Sequence, residues 1–358
     1  MAETGAAGVV VTAPPRRVLL VQIRRAGDVV VSTALLEELD RAFPGVSCDW
    51  LVGKAAAPLL EHHPLIRERL LFDRRKIRET GTLLRSKRYD WVVDVQGSWR
   101  TAVLTRLAGA RVRIGWRGLN GGWAYTHRVA RANVAPVRYV VRHREQLLAA
   151  AGVSVSGSAV PSLHLTEDER ERGATQVRAL SGGLPTVGMV LSTSSRAKDW
   201  APERFAELAA ALADEGAKCI VFPTPGGGRQ EAAFLGAAGG SAVTGPLVPL
   251  RELMTLIAAC DVFVSGDTGP AHIATAVAVP RVTIYGPSPA VGWTPDSATS
   301  IAVRDRAARC AACAGHAPES SHTCLASVTL GMVLGPVREL LRTSRQTSIR
   351  PLSDAPGD

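Results

Sequence analysis

The chain has 358 residues, 46% hydrophobic and 21% charged, enough for two substantial cores at roughly 100 to 200 residues per domain. No apolar run reaches the roughly 20 residues of a membrane helix, and the first fifteen residues, with Glu3 and no basic start, resemble a flexible tail more than a signal peptide. A soluble, cytoplasmic globular protein is expected. The formal net charge of +10 is uneven: residues 1–165 hold 25 Lys/Arg against 13 Asp/Glu, and residues 166–358 hold 17 against 19. A basic first half attracts anionic partners. With no nucleic-acid-binding motif present, a phosphorylated small molecule or the anionic face of a membrane fits better than nucleic acid. The plainer alternative is solvated charge in an arginine-rich proteome, since only five of the 42 basic residues are lysines. The six cysteines are unevenly spaced and read as reduced thiols.

After a tail over 1–15, a buried strand is expected over 18–23, then a tight turn over 24–28 and one helix running to Phe43, where Pro44-Gly45 stops it. Strands follow over 49–52, 91–95 and 111–116. Residues 151–164, rich in Ser, Gly, Pro and Val, join this first domain (16–165) to a second (166–341). Thr166 and Glu169 have capping-box spacing and open a helix that ends near Gly182-Gly183. The pattern then restarts with a strand over 187–191, a helix over 202–216, a strand over 218–222 and a flexible glycine turn, Gly226-Gly227-Gly228. Strands over 261–266 and 281–285 flank a two-turn helix with Pro270 at its first position. A last helix spans about 330–341, and 342–358 reads as a flexible tail. Strands alternating with helices predict α/β domains with largely parallel sheets, and two doubly wound domains can face each other across a central cleft.

Asp267-Thr268-Gly269-Pro270 sits at the start of that short helix, where unpaired amides and the positive end of the dipole favour a phosphate. An ordinary capped βαβ turn is the competing reading. Asp28, at the first helix start after the first strand, is either an N-cap or a general base for a hydroxyl. Lys198, in a strand-end loop, either neutralises a diphosphate or is a surface lysine. No Asp-x-Asp pair, Walker phosphate loop, Gly-x-Gly-x-x-Gly turn or Gly-x-Ser-x-Gly elbow is present. Cys310, Cys313, His316, His322 and Cys324 carry zinc-ligand chemistry, but their spacing matches no standard finger, and no metal site is assigned.

Four segments, 18–33, 89–97, 194–200 and 265–286, resemble in order the motifs of the ADP-heptose:lipopolysaccharide heptosyltransferases, glycosyltransferase family 9. The resemblance covers about residues 16–341. It implies a GT-B fold of two Rossmann-like domains, with an N-terminal acceptor domain and a C-terminal nucleotide-sugar domain. It also implies inverting sugar transfer without a metal or other cofactor. Asp28 then matches the catalytic aspartate and Lys198 the phosphate-contacting lysine, with Ser194 and Ser195 at hydroxyl positions beside it. Asp267, Thr268, Gly269 and His272 match the donor-site motif, and Glu231 falls near an acidic residue that holds the ribose. The implied partners are a nucleotide-sugar donor, ADP-heptose first, and an anionic saccharide or glycolipid acceptor, with peripheral contact to the cytoplasmic membrane face. Two alternatives are a nucleotide-sugar epimerase, which product analysis separates, and a non-catalytic nucleotide-sugar binder, which would not require Asp28.

Overall fold

The computed structural model describes residues 14–118, 122–130, 138–307 and 324–348. The chain divides into two compact units, residues 1–164 and 165–358.

Among the described residues, the first unit contains a six-stranded sheet in the order β3-β2-β1-β4-β5-β6. Its strands are β1 (Arg17–Val21), β2 (Ser47–Gly53), β3 (Ile66–Phe72), β4 (Trp91–Asp94), β5 (Val112–Arg117) and β6 (His127–Ala130). Every neighbouring pair is parallel. Its helices are α1 (Ala26–Ser32), α2 (Ala34–Ala42), α3 (Ile77–Ser86), α4 (Trp99–Leu107) and α5 (Val140–Ala149).

The second unit repeats the pattern. Its strands are β7 (Thr186–Val190), β8 (Lys218–Val221), β9 (Ala242–Thr244), β10 (Val262–Gly266), β11 (Arg281–Ile284) and β12 (Ser300–Val303). Their order, β12-β11-β10-β7-β8-β9, is the first sheet's order shifted by six strands and read from the other edge. Its helices are α6 (Glu167–Ser181), α7 (Pro202–Asp214), α8 (Gly228–Ala238), α9 (Leu250–Ala258), α10 (Gly269–Ala276), α11 (Ala290–Trp293) and α12 (Leu330–Ser348).

The central strands are buried almost throughout, β4, β7, β10 and β11 along their whole length. Parallel strands covered on both faces demand such continuous apolar runs rather than alternation. Local signals agree with this frame. Thr166 and Glu169 form a reciprocal capping box at the start of α6, and Gly182 ends that helix at φ 64°, a conformation glycine adopts without a steric penalty.

Three expectations need correction. The single helix expected to run to Phe43 is two, α1 and α2, broken at Thr33. There the Ser32 hydroxyl donates to the Asp28 carbonyl at 2.7 Å and the Thr33 hydroxyl to the Val30 carbonyl at 2.7 Å, local bonds that compete with regular helix. Thr33 Oγ1 also accepts from the Ser162 amide at 2.9 Å, which seats the Ser/Gly/Pro-rich segment on the first unit. Pro270 is the second residue of α10, not the first. Finally, α12 continues through Ser348, so the segment read as a tail from 342 begins as helix.

Among the described residues no helix is long and apolar enough to cross a membrane. Cys48, Cys219 and Cys260 are free and buried, and burial pushes the Cys48 and Cys219 thiols up to about 12. Cys324 is buried, while Cys310, Cys313, His316 and His322 lie outside the described residues.

Candidate active site

In an open α/β sheet of this order, the order in which strands are added reverses between the first and fourth strands, and ligands bind outside the carboxyl ends there. The reversal falls between β1 and β4 in the first unit and between β7 and β10 in the second. Every site residue inferred from the sequence can be placed relative to these two points.

In the first unit, the loop leaving β1 is held by two glutamines. Gln96, just after β4, accepts from the Ile23 and Arg24 amides, each at 3.0 Å, and Gln22 Nε2 donates to the Arg24 carbonyl at 2.9 Å. The chain then passes through Arg25 at φ 63°, a conformation costing an ordinary residue on the order of 1–3 kcal/mol and persisting only where the surroundings enforce it. Arg25, not Asp28, is the N-cap of α1, and it makes no side-chain cap. Asp28 lies in the first turn, where a carboxylate complements the helix dipole.

Its main partner is Arg144 of α5. One guanidinium nitrogen, Nη2, donates to Asp28 Oδ1 at 2.6 Å; the other, Nη1, donates to the Asp28 carbonyl at 2.6 Å and the Ser32 hydroxyl at 2.7 Å. The Arg144 side chain is 7% exposed and that of Asp28 24%. Arg144 thus fixes the carboxylate from the protein side through Oδ1.

In the second unit, the loop leaving β7 is tied down along its length. The Thr193 amide donates to Asp199 Oδ1 at 2.7 Å, and the Thr193 hydroxyl donates to the Ser195 carbonyl at 2.7 Å. The Trp200 indole N–H donates to the Val328 carbonyl at 3.0 Å. Between these anchors a short 3-10 turn, Arg196–Lys198, presents Lys198, whose ammonium donates to Asp267 Oδ2 at 2.7 Å across the gap between β7 and β10.

Gly266 makes that approach possible. A Cβ there would lie 2.7 Å from Thr193 Cγ2 and 2.8 Å from the Lys198 carbonyl oxygen, closer than atoms tolerate.

Asp267 is buried, which alone would raise its pKa. Hydrogen bonds from Lys198 and Ser288 and the positive charge of Lys198 and His272 outweigh burial and hold the carboxyl below its ordinary 3.8. Thr268 is the N-cap residue of α10 without a side-chain cap bond, and Gly269 opens the helix. His272 is buried, its ring centroid 5.5 Å from that of Trp293.

Glu231 closes the glycine turn onto the same region. Its Oε1 accepts from the Thr224 amide at 3.0 Å, and the Thr224 hydroxyl lies 2.6 Å from that of Ser192 in the β7 loop. Gln230 joins α8 to that loop by donating to Asp199 Oδ2 at 3.0 Å. Bonds from Thr224 and Gln230 thus join the segment around Glu231 to the β7 loop that carries Lys198. Ser194 is exposed and Ser195 half-buried in the Lys198 loop.

Sequence reasoning passed over Arg144, Gln96, Asp199, Gln230 and Ser288. Gln96 and Ser288 follow buried strands, a signal that could have marked them. Arg144 lies far from Asp28 in sequence, and nothing local marks the pair. Among the described residues no three His, Cys, Asp or Glu side chains converge as a metal would need.

The model of glycosyltransferase family 9 (heptosyltransferase) matches residues 77–323. Lipopolysaccharide heptosyltransferase 2 of Escherichia coli K12 is 27% identical over 352 residues, covering 91% of this chain and 98% of that protein. The solved structure of E. coli ADP-heptose lps heptosyltransferase II superposes with a TM-score of 0.78 at 25% identity, over 92% of this chain and 99% of that one. E. coli heptosyltransferase WaaC, solved with ADP-2-deoxy-2-fluoro heptose, shares the fold with a TM-score of 0.64 at 23% identity, over 90% and 99% of the two chains. With its two sheets of identical order, the chain has the GT-B architecture of two Rossmann-like domains. It belongs to glycosyltransferase family 9 and is a glycosyltransferase of the heptosyltransferase type.

Proposed function

We propose that the chain transfers heptose from ADP-heptose to an anionic saccharide or glycolipid acceptor, with inversion at the anomeric carbon and without a metal or other cofactor. The first unit is the acceptor domain and the second the nucleotide-sugar domain. The reaction takes place at the cytoplasmic membrane face, where a lipid-linked acceptor is presented.

The observation that carries this reading is the pairing of charged groups at the two points where strand order switches. One holds a carboxylate gripped by Arg144, and the other a lysine gripped by Asp267 at the start of α10. The names of the relatives supply the substrates. Asp28 Oδ2 takes the proton of an acceptor hydroxyl as that oxygen attacks the anomeric carbon. The bond from the anomeric carbon to the diphosphate oxygen breaks, and ADP leaves with the electron pair.

The growing charge is met by fixed positive groups rather than by reorganised water. A lysine ammonium has three donors, of which Asp267 occupies one, leaving Lys198 two for phosphate oxygens. The Gly269 amide and the positive end of the α10 dipole add to this, while Pro270, having no N–H, contributes none. Thr268, His272, Ser194 and Ser195 line the diphosphate and sugar positions, and Glu231 holds the ribose.

Calorimetric titration with ADP-heptose, ADP, GDP-mannose, UDP-glucose and NAD, with EDTA present throughout, tests the donor. Selective, chelator-insensitive binding of ADP and ADP-heptose is expected. Preference for another nucleotide overturns the donor assignment, and a product that is an isomerised donor rather than a glycosylated acceptor overturns the transfer.

A further inference from the structure

We propose that Arg281 is a buried cation retained for the donor diphosphate, a positioning residue that adds to the positive field at the start of α10 without touching the ligand. This deepens the proposed function and rests on that reading for the diphosphate. Among the described residues three arginines are buried, Arg144 and Arg251 at 6% and 8% exposed and Arg281 at 0%. The first two are paired with carboxylates, those of Asp28 and Glu169. Arg281 is bonded by neutral oxygens alone. Its Nη1 donates to the Thr283 hydroxyl at 2.5 Å and its Nη2 to the Trp293 carbonyl at 3.1 Å, and a further bond reaches the Tyr285 phenol. Its Nε is equally buried and donates to nothing among the described residues.

Residues 281, 283 and 285 share one face of β11, since side chains alternate along a strand, while Val282 and Ile284 enter the apolar core on the other. Helix α10 packs against β11, and its His272 ring lies 5.5 Å from that of Trp293. Arg281 holds both ends of the segment 285–294. At one end is Tyr285, whose phenol oxygen also accepts from the Thr294 hydroxyl at 2.9 Å; at the other is the Trp293 carbonyl. Between them Ser288 bonds the Asp267 carboxylate. Burial raises the Tyr285 phenol above its ordinary 10, the Arg281 charge opposes that rise and the Asp267 charge adds to it, so both charges lie within electrostatic reach of one hydroxyl.

Taking a guanidinium out of water without an anion beside it is costly, and departures from such packing rules concentrate at functional sites. The group expected at the start of α10 is itself an anion. A fixed charge acts over a longer range through a protein interior than through water, so Arg281 favours the diphosphate from behind the helix while Lys198 and the Gly269 amide meet it directly. A carboxylate beside Arg281 would cancel that field.

Titration of ADP, AMP and adenosine into the wild type, Arg281→Met and Arg281→Gln tests this, because an electrostatic role scales with the charge of the ligand and a structural one does not. Arg281→Met should weaken ADP binding about tenfold, AMP binding about threefold and adenosine binding hardly at all. Arg281→Gln keeps a polar partner for Thr283 and the Trp293 carbonyl but lacks the charge, and it should show the same graded loss. Removing an unpaired buried charge should leave thermal unfolding of the ligand-free chain no lower in Arg281→Met than in the wild type. Should that variant not fold, Arg281→Gln alone decides.

Equal losses for ADP, AMP and adenosine overturn the proposal and leave Arg281 a structural residue. Wild-type ADP affinity in Arg281→Gln also overturns it, assigning the effect to hydrogen bonding. If the wild type prefers another nucleotide to ADP, the donor assignment falls, and the same series on that nucleotide's diphosphate, monophosphate and nucleoside decides the role of Arg281.

Discussion

Arg144 holds Asp28 by two different handles, donating to its carboxylate oxygen Oδ1 and to its backbone carbonyl, each at 2.6 Å. The first bond orients the carboxylate; the second fixes the turn of α1 that carries it. A general base must meet its proton within hydrogen-bond reach, and a misplacement near 1 Å can cost about a hundredfold in rate. Arg144→Ala is therefore expected to lower kcat roughly 10- to 100-fold while leaving ADP affinity unchanged, and Arg144→Lys to recover part of the loss. Asp28→Ala should lose roughly 10²- to 10⁴-fold in turnover, again with donor binding retained. Steady-state kinetics beside ADP titrations checks both, and a fall in ADP affinity in either variant would contradict these roles.

Lys198 and Asp267 form the corresponding pair in the second unit. Lys198→Ala should weaken ADP binding by about 1.5 to 3 kcal/mol, the range for a hydrogen bond to a charged group. Because the Asp267 carboxyl is held below 3.8, its stabilising contribution is complete above the ordinary aspartate range and is lost only as pH falls through that range toward the lower folded value. ADP affinity should therefore show no Asp267-linked decline between pH 8 and about 5. A midpoint inside that window, abolished by Asp267→Asn, would contradict the assignment.

Much of this was legible in the sequence because parallel strands and helix starts leave local marks. Continuous apolar runs gave β1, β4, β7, β10 and β11 to within a residue or two, and Thr166-x-x-Glu169 gave the start of α6. Asp28, Lys198 and Asp267 each stand out in the sequence by their place after a strand, and the structure puts each there. The pairings were not legible. Arg144 is 116 residues from Asp28, and Lys198 is 69 from Asp267; such contacts depend on sheet order, which neighbouring residues do not encode. Asp28 as an N-cap was a reasonable local reading that failed because α1 begins earlier, at Ala26, behind the positive-φ Arg25. The break at Thr33 was missed for a related reason, since its hydroxyl serves a distant amide, that of Ser162.

Gly266 tests whether the Lys198 loop needs its close approach to β10. Its missing side chain leaves space already filled by Thr193 Cγ2 and the Lys198 carbonyl, and the second of these is backbone and cannot rotate away. Gly266→Ala should displace the loop, cost roughly 1–3 kcal/mol of stability, and weaken ADP binding at least tenfold. If ADP binds normally to Gly266→Ala, the Lys198–Asp267 contact is not what sets donor affinity.

His63 offers a test confined to the first unit. It is buried, its Nε2 lies 3.3 Å from the Ser162 hydroxyl, and its ring meets His164 edge-on at 4.6 Å. Burial first, and the neighbouring His164 charge second, push it down from 6.5 to about 4. In the unfolded chain it takes up a proton near 6.5, whereas in the folded chain it stays neutral until about pH 4. Across that interval the unfolded state binds the extra proton, so stability falls as the solution is acidified from about 6.5 toward 4. At 1.36 kcal/mol per unit, the loss is on the order of 3 kcal/mol. His63→Gln keeps a polar partner for Ser162 and removes the titration, so it should flatten the urea-unfolding stability over this range relative to the wild type while differing little at pH 8. An unchanged slope would mean that other groups carry the acid sensitivity of the first unit.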